Sequence, residues 1–361
     1  LYHLLISKAY SHLNEFESIP EKPFMWTDRM QHYTIDVSNP LSQKLIKEMV
    51  DEYLPLFTSD KFNICCDETF DLGQGRNKKL ADEVGKGKLY QYFAKIIIEH
   101  VKSYGKKVMI WGDIILNHPE IIEELPDDII LLNWDYSPDA DEAGFRVIEE
   151  AGLTQYACPG VLGWNGLISN MDVADKNISI MVSHAKKYNA DGILVTDWGD
   201  FGHINLLSAS IPGAILSAGL SWNADEAVKP ADEDISRVEF GDNSGRIVGL
   251  IRELSRQSML EWDAIVLWYY SVMGMDVVDS YNYESGHIPK LLEYEESKIK
   301  DSYNRIIGLA GELSALYSDV FSDKKKDIKE YIISANGIAL FQALLLVIKK
   351  KFFGQSDIEL I

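Results

Sequence analysis

Two adjacent carboxylates, Asp67 and Glu68, follow a short apolar run in the sequence FNICCDET (residues 62–69). Apolar residues favour burial, whereas carboxylates favour water or a polar partner. Side chains alternate along an extended segment, so the two neighbours point in different directions. One acid can therefore face a leaving oxygen while the other contacts a different part of the same substrate. A carboxyl near apolar walls has a raised pKa and can donate a proton at neutral pH.

The acid pair also has a structural interpretation, because a basic loop with Arg76 and Lys78 follows it. Either basic side chain can form an ion pair with carboxylates at a strand end. Other chemistries lack their motifs: the chain has no HExxH, no paired Cys or His at ligand spacing and no GxSxG. No glycine-rich phosphate loop opens a helix. We therefore expect no metal and no cofactor.

Five apolar strands are predicted, and each is followed by a helix. The predicted strands are residues 61–66, 107–111, 128–134, 154–160 and 191–200. Continuous apolar strands that alternate with helices indicate a parallel sheet covered by helices. Both a barrel and a doubly wound sheet fit this alternation.

Acids and aromatic side chains recur near the ends of all five predicted strands. In chain order they are Asp67 and Glu68, Trp111 and Asp113, Trp134 and Tyr136, Trp164 and Asn165, and Trp198 and Asp200. A single tryptophan is usually a core residue, and a single aspartate after a strand is usually a helix cap. In a barrel, however, the carboxyl ends of the strands build the active site. The recurrence therefore favours a carbohydrate site without excluding ordinary packing.

The 361 residues suggest a large domain followed by a smaller one. Residues 1–222 carry the strand–helix alternation, and residues 223–361 are predicted to form a helical C-terminal domain. An acidic, turn-rich stretch at 223–237 is interpreted as the linker. The segment LEWDAIVLWYY (260–270) is interpreted as helical core, with a dimer surface or a sugar platform as alternatives.

The formal net charge of −21 argues against a nucleic-acid partner or an anionic membrane. We find no apolar run of the ~18–20 residues that a membrane span needs, and expect no membrane partner. Three cysteines, two of them adjacent, do not form a disulfide framework. Free thiols favour a cytoplasmic location, with a bacterial cell surface or secretion as the alternative.

The segments IDVSNP (35–40) and FNICCDET resemble the fourth-strand region of family 20 glycoside hydrolases, the β-N-acetylhexosaminidases, in a bacterial branch. In that family the strand ends in His-x-Gly-Gly-Asp-Glu, and here the motif is Asn63–Glu68 (NICCDE). The acid pair matches, whereas the His and both Gly are replaced. The resemblance continues through Trp111, Trp134 and Trp198–Asp200, and covers about residues 1–222.

The resemblance implies a (β/α)8 TIM-barrel type of catalytic domain, of which the five predicted βα units correspond to strands 4–8. Strands 1–3, with an arginine that grips the terminal sugar, are expected before Leu1. An open half-barrel leaves unpaired strand edges. We therefore expect a missing N-terminal segment, or a second copy in a homodimer, to cover those edges.

The resemblance also implies a substrate-assisted mechanism, an exception to two-carboxylate schemes. Glu68 is then the general acid and later the base, while Asp67 orients the 2-acetamido group of the substrate. Contacts with the sugar are implied for Trp111, Trp134, Trp198, Asp113 and Asp200. The family holds the acetamido oxygen with a tyrosine on strand seven. Here that neighbourhood offers Trp164 and Asn165, with Tyr156 earlier and Tyr136 after strand six, so the assignment stays open.

The predicted function is an exo-acting β-N-acetylhexosaminidase acting on glycans with terminal GlcNAc or GalNAc. One alternative is another retaining TIM-barrel glycosidase without acetamido assistance. The other is a non-catalytic sugar-binding or structural fragment, because part of the implied site precedes Leu1.

Overall fold

A computed structural model describes residues 8–16, 34–225, 229–273 and 293–352 of the chain. The contacts divide the chain into two compact units. Unit 1 consists of Leu1–Trp134, Asp141–Cys158 and His184–Leu194, and unit 2 consists of Asp135–Ala140, Pro159–Ser183 and Val195–Ile361. The domain boundary expected between residues 222 and 223 remains a prediction.

Unit 1 is built on a sheet of five parallel strands that pair in chain order. The strands are β1 (Lys61–Asn63), β2 (Lys107–Trp111), β3 (Ile130–Trp134), β4 (Thr154–Cys158) and β5 (Gly192–Ile193). Each strand except the last is followed by helix before the next begins. The predicted fold class, a partial TIM-barrel type with five βα units, is confirmed.

The helices connected with this sheet are α1 (Pro40–Tyr53), α2 (Lys78–Val84), α3 (Lys86–Lys102), α4 (Asp113–Asn117), α5 (Ala143–Glu150) and α6 (Met171–Lys187). At the start of α1 the Asn39 side chain accepts a hydrogen bond from the Leu41 N–H at 3.0 Å, and Pro40 occupies the first helical position. Asn39 is therefore the N-cap of α1. Residues alternating along β2, such as Val108 and Ile110, are buried in a core shared with α1 and α3.

The opposite face of the sheet carries the side chains predicted for the site. The register places Trp111 opposite Leu132 and Leu132 opposite Tyr156. Trp134 lies two residues beyond Leu132 on the same strand and therefore on the same face. Gln155 precedes Tyr156 on β4 and points to the opposite, helix-covered face of the sheet. There its side-chain amide donates hydrogen bonds to the carbonyls of Phe145 and Tyr188. Trp111 is 6% exposed, whereas Trp134 is only half-buried.

Unit 2 is mainly helical. Its helices besides part of α6 are α7 (Ile211–Trp222), α8 (Asp232–Phe240), α9 (Ile247–Arg256), α10 (Trp262–Val272), α11 (Glu296–Ala315) and α12 (Lys325–Phe352). A core of aliphatic residues from α8, α9, α11 and α12 holds the unit together. The predicted helical character of the C-terminal region holds over the described residues, and part of the predicted helix at 286–317 lies outside them.

Helix α12 is long and apolar enough to cross a membrane, with a mean hydropathy of 2.0 in its most apolar window within Lys325–Lys350. The expectation that no apolar run reaches this length therefore fails for α12. Half of that window is buried inside the protein, and Tyr331, Ala335 and Ile338 lie in the core of unit 2. A core helix passes the same test of length and composition, so the helix alone is weak evidence for a membrane span.

Candidate active site

The acid pair lies on a tight loop that directly follows β1, with an uncommon backbone conformation. The φ angles are 59° for Cys65, 67° for Cys66 and 48° for Glu68, all in the left-handed region. This region costs a residue with a side chain about 1–2 kcal/mol. Cys65 and Cys66 occupy the positions of the two glycines in the family motif, and glycine adopts such angles freely. Surrounding contacts must therefore hold the loop in place.

Hydrogen bonds from neighbouring elements fix this loop. The Cys65 N–H donates to Asn63 Oδ1 at 2.9 Å, and the Cys65 carbonyl accepts from the Trp111 N–H at 3.1 Å. The buried Tyr90 of α3 donates its hydroxyl to the Cys66 carbonyl at 2.9 Å. Asn63 stands at the motif's histidine position. Tyr90 is a supporting residue that the sequence pattern does not single out.

Asp113 binds the backbone of the proposed acid. Asp113 is the first residue of α4, and its Oδ2 accepts a hydrogen bond from the Glu68 N–H at 2.9 Å. Burial, and secondarily the charge of Asp67, raises the pKa of Asp113 to about 6. Burial also raises the pKa of Asp67. These two carboxyls are therefore more easily protonated than ordinary aspartates. The predicted contact of Asp113 with a sugar hydroxyl remains a prediction.

Arg76 of the basic loop hydrogen-bonds to the N-terminal part of the chain. Arg76 Nη1 donates to the carbonyls of His12 and Asn14 at 2.7 and 3.1 Å. Trp111 lies beside the loop of the acid pair, where its side chain hydrogen-bonds to the Cys65 thiol.

A cluster of aromatic residues in unit 2 contains three of the predicted residues. The Trp198 Nε1–H donates to the Tyr136 hydroxyl at 2.7 Å. The Tyr136 ring meets Trp164 edge to face, with centroids 4.9 Å apart at 68°. A Cβ added to Gly160 would lie 2.6 Å from the Trp164 ring and 2.9 Å from the Tyr136 ring. Glycine at this position therefore lets both rings approach the backbone.

Asn165 and Asp200 lie on loops of unit 2 that share an unusual backbone and a common partner. Asn165 has a φ of 62°, and the residue after Asp200, Phe201, has a φ of 53°. Trp262 donates its backbone N–H to the Asn165 carbonyl at 2.7 Å and its Nε1–H to the Phe201 carbonyl at 2.9 Å. Asp200 itself is exposed, at the start of a short 3-10 turn. Trp262 lies within 260–270, a segment interpreted from the sequence as helical core, with a dimer surface or a sugar platform as alternatives.

The predicted site residues thus form one set in each unit. Unit 1 contains Asp67, Glu68, Trp111, Asp113 and Trp134, and unit 2 contains Tyr136, Trp164, Asn165, Trp198 and Asp200. The set in unit 1 includes carboxyls of a kind suited to proton transfer. The set in unit 2 includes aromatic rings of a kind suited to sugar contact. Within the described ranges, no group of three or more His, Cys, Asp or Glu side chains is arranged to hold a metal ion. All three cysteines are free thiols.

The amino-terminal part of the chain is similar to a known family of protein domains. Residues 5–158 match the family described as "Glycosyl hydrolase family 20, catalytic domain". The match includes the acid pair, Trp111, Asp113 and Trp134. Residues 5–158 are therefore similar to the catalytic domain of family 20 glycoside hydrolases, and the resemblance found in the sequence is confirmed.

The individual relatives are more distant. The chain is 31% identical over 110 residues to a lacto-N-biosidase of Bifidobacterium bifidum, covering 28% of this chain and 10% of that protein. It is 14% identical to the Flavobacterium johnsoniae chitobiase, covering 95% of this chain and 58% of that one, with a TM-score of 0.41. It is 14% identical to a β-N-acetylhexosaminidase of Bacteroides fragilis, covering 54% and 40%, with a TM-score of 0.40. The chain thus spans only part of the length of each of these relatives.

Proposed function

We propose that this chain belongs to an exo-acting β-N-acetylhexosaminidase that removes terminal N-acetylhexosamine from glycans with retention of configuration. One observation carries the proposal. The acid pair stands on a constrained loop within the family 20 segment, where Asp113 holds the Glu68 backbone. The resemblance assigns the chemical roles, and the hydrogen bonds around the loop support a fixed backbone for the residues that carry both carboxyls.

In the proposed reaction Glu68 donates its proton to the glycosidic oxygen. The bond between this oxygen and the anomeric carbon breaks, and the substrate's acetamido oxygen forms a bond to the same carbon. The product of this step is an oxazolinium ion, whose positive charge Asp67 stabilises. Glu68 then removes a proton from a water molecule whose oxygen bonds to the anomeric carbon. The bond between this carbon and the acetamido oxygen breaks, which opens the oxazolinium ring and restores the acetamido group.

The aromatic set of unit 2 would contact the sugar and its acetamido group. Tyr136 is our choice for the residue that holds the acetamido oxygen. Its hydroxyl accepts from the Trp198 indole, which orients the group, and a tyrosine hydroxyl that accepts one hydrogen bond can donate another. Trp164 and Trp198 supply flat apolar faces of the kind that stack on sugars, and Asp200 supplies an exposed charged acceptor for hydroxyls.

The role of the acetamido group provides the test. Hydrolysis of a p-nitrophenyl N-acetyl-β-glucosaminide and its galactosamine counterpart is compared with that of p-nitrophenyl β-glucoside, which has a hydroxyl instead of the acetamido group. We expect turnover only of the acetamido sugars and strong inhibition by a thiazoline analogue of the oxazoline intermediate. Turnover of all three without thiazoline inhibition would indicate a glycosidase of the ordinary two-carboxylate type. Absence of both turnover and thiazoline binding would contradict the proposal and favour a non-catalytic fragment.

A further inference from the structure

One tryptophan of the helical region is hydrogen-bonded to both loops that carry the predicted sugar-contacting residues of unit 2. We call residues 159–170 the first loop and residues 195–206 the second loop. The first contains Trp164 and Asn165, and the second contains Trp198 and Asp200. Trp262 donates from its backbone to the first loop and from its indole to the second, at 2.7 and 2.9 Å.

Both acceptors are carbonyls of residues with a positive φ angle. Asn165 and Phe201 have φ angles of 62° and 53°, and His203 follows with 56°. Residues with side chains adopt these angles rarely, and a bulky residue such as phenylalanine does so only where its surroundings hold it. Asparagine adopts such angles more readily than other residues with side chains, so the strain lies mainly at Phe201. The indole hydrogen bond of Trp262 is made at this residue, where it opposes relaxation of the second loop.

The two loops are also joined to each other, but at a different place. The Val161 N–H donates to the Thr196 carbonyl at 3.0 Å, and the Thr196 N–H donates to the Pro159 carbonyl at 2.8 Å. These bonds join the loops where they begin. Within the described residues, Trp262 bonds to them further along, next to Trp164 and next to Asp200. Loss of the indole bond would therefore release the second loop near Asp200 without separating the loop bases.

Trp262 is itself held firmly. It begins α10, and its indole stacks on Phe341 of α12 with centroids 6.4 Å apart at 15°. The neighbouring Leu260 and Ala264 are buried in the same apolar cluster. The helical region thus offers a fixed point to which the loops are attached.

We propose that Trp262 is a positioning residue through which the helical region fixes the sugar-contacting loops. This inference rests on the proposed function, since it takes these loops as part of a site for an N-acetylated sugar. The helices after residue 222 then act in substrate affinity as well as in folding. The chemical step, which we assign to Asp67 and Glu68, does not depend on this residue.

The variant Trp262→Phe tests the inference, because it removes the indole donor and part of the ring area but keeps the backbone N–H and an aromatic ring beside Phe341. We expect a rise of about fivefold in KM for the chromogenic N-acetylglucosaminide, corresponding to one lost hydrogen bond, with kcat unchanged. Amide hydrogen exchange at residues 199–203 should become faster, and the pH profile of kcat should not move.

Two controls separate positioning from general destabilisation. Phe341→Leu removes the stacked ring and keeps both hydrogen bonds, so we expect a lower melting temperature with KM and loop exchange changed clearly less than in Trp262→Phe. Trp222→Phe replaces a tryptophan that is 93% exposed and should change nothing. Unchanged KM or unchanged exchange in Trp262→Phe, or an equal KM rise in Phe341→Leu, would overturn the inference. Failure of the proposed function would appear differently, as a wild-type protein that neither turns over the substrate nor binds the thiazoline.

Discussion

The carboxylate of Asp113 accepts a hydrogen bond from the backbone N–H of Glu68, although 45 positions separate the two residues in the sequence. This bond joins the loop after β1 to the start of α4. It fixes the backbone of the proposed general acid, which has a φ of 48°. The position of the acid therefore depends on a second carboxyl whose own ionisation is unfavourable in the folded protein.

The first prediction concerns the dependence of stability on pH. The pKa of Asp113 is about 6 in the folded protein against a usual 3.8, so the wild type loses stability as the pH rises through this range. Asp113→Asn cannot ionise and retains an oxygen to accept from Glu68. We expect the variant to be more stable by about 1–3 kcal/mol at pH 7.5 and no more stable than wild type at pH 3.5. Chemical denaturation at the two pH values measures this difference.

Asp113→Ala is the matched control, because it removes both the charge and the acceptor. We expect this variant to lose the pH dependence as well, but also to leave the Glu68 N–H without its partner and to lower activity. An advantage of Asp113→Asn that is the same at both pH values would contradict the assigned cause.

The second prediction concerns the two cysteines with left-handed backbone. Cys65 is exposed, so its replacement loses little buried surface. Cys65→Gly should be about 1 kcal/mol more stable than Cys65→Ala, because only glycine adopts a φ of 59° without steric cost. Both variants lose the thiol, and their difference isolates the backbone. Equal melting temperatures for the two variants would show that the loop carries no such strain.

The third prediction tests the close approach of two rings to Gly160. The Cβ of Gly160→Ala would overlap with Trp164 and Tyr136 and push the rings apart. We expect at least a tenfold loss of thiazoline affinity, measured by calorimetry, together with a lower melting temperature. Gly311→Ala is the control: its Cβ meets nothing within 4 Å in α11, so it should keep the affinity and stabilise the helix. Retained affinity in Gly160→Ala would exclude this cluster from the sugar site.

The fourth prediction concerns the hydroxyl of Tyr136. Tyr136→Phe keeps the edge-to-face contact with Trp164, but it removes the acceptor of the Trp198 indole and the proposed donor to the acetamido oxygen. We expect a loss of about 10–100-fold in kcat/KM on the acetamido substrate with little change in fold. Near-UV circular dichroism checks the fold. If the variant kept the wild-type kcat/KM, the contact with the acetamido oxygen would have to be made by a residue other than Tyr136.

The sequence predicted well those features that depend on local pattern. The alternation of apolar strands with helices predicted five parallel strands, and Pro40 after Asn39 predicted the start of α1. The last strand was predicted over 191–200 but covers only Gly192–Ile193. After it the chain continues through a single bridge at Thr196 and then turns through left-handed residues, which no apolar pattern reveals.

The contacts that position the site could not be predicted in the same way. The bond between Asp113 and Glu68 and the bonds of Trp262 to Asn165 and Phe201 join residues far apart in the sequence. Periodicity predicts which face of an element is buried, but it does not predict which distant backbone group a polar atom meets. The sequence of 260–270 therefore indicated an apolar helix, with a dimer surface or a sugar platform as alternatives, and did not reveal the hydrogen bonds of Trp262 to the two loops.

Exchange of a single oxygen for nitrogen in Glu68→Gln tests the central claim most directly. Turnover of the chromogenic N-acetylglucosaminide and binding of the thiazoline are measured on the same preparation of wild type and variant. A true general acid predicts a loss of turnover of at least ~10²-fold, while thiazoline affinity stays within a few-fold of wild type. Unchanged turnover in Glu68→Gln would contradict the assignment of the acid and with it the mechanism proposed for this chain.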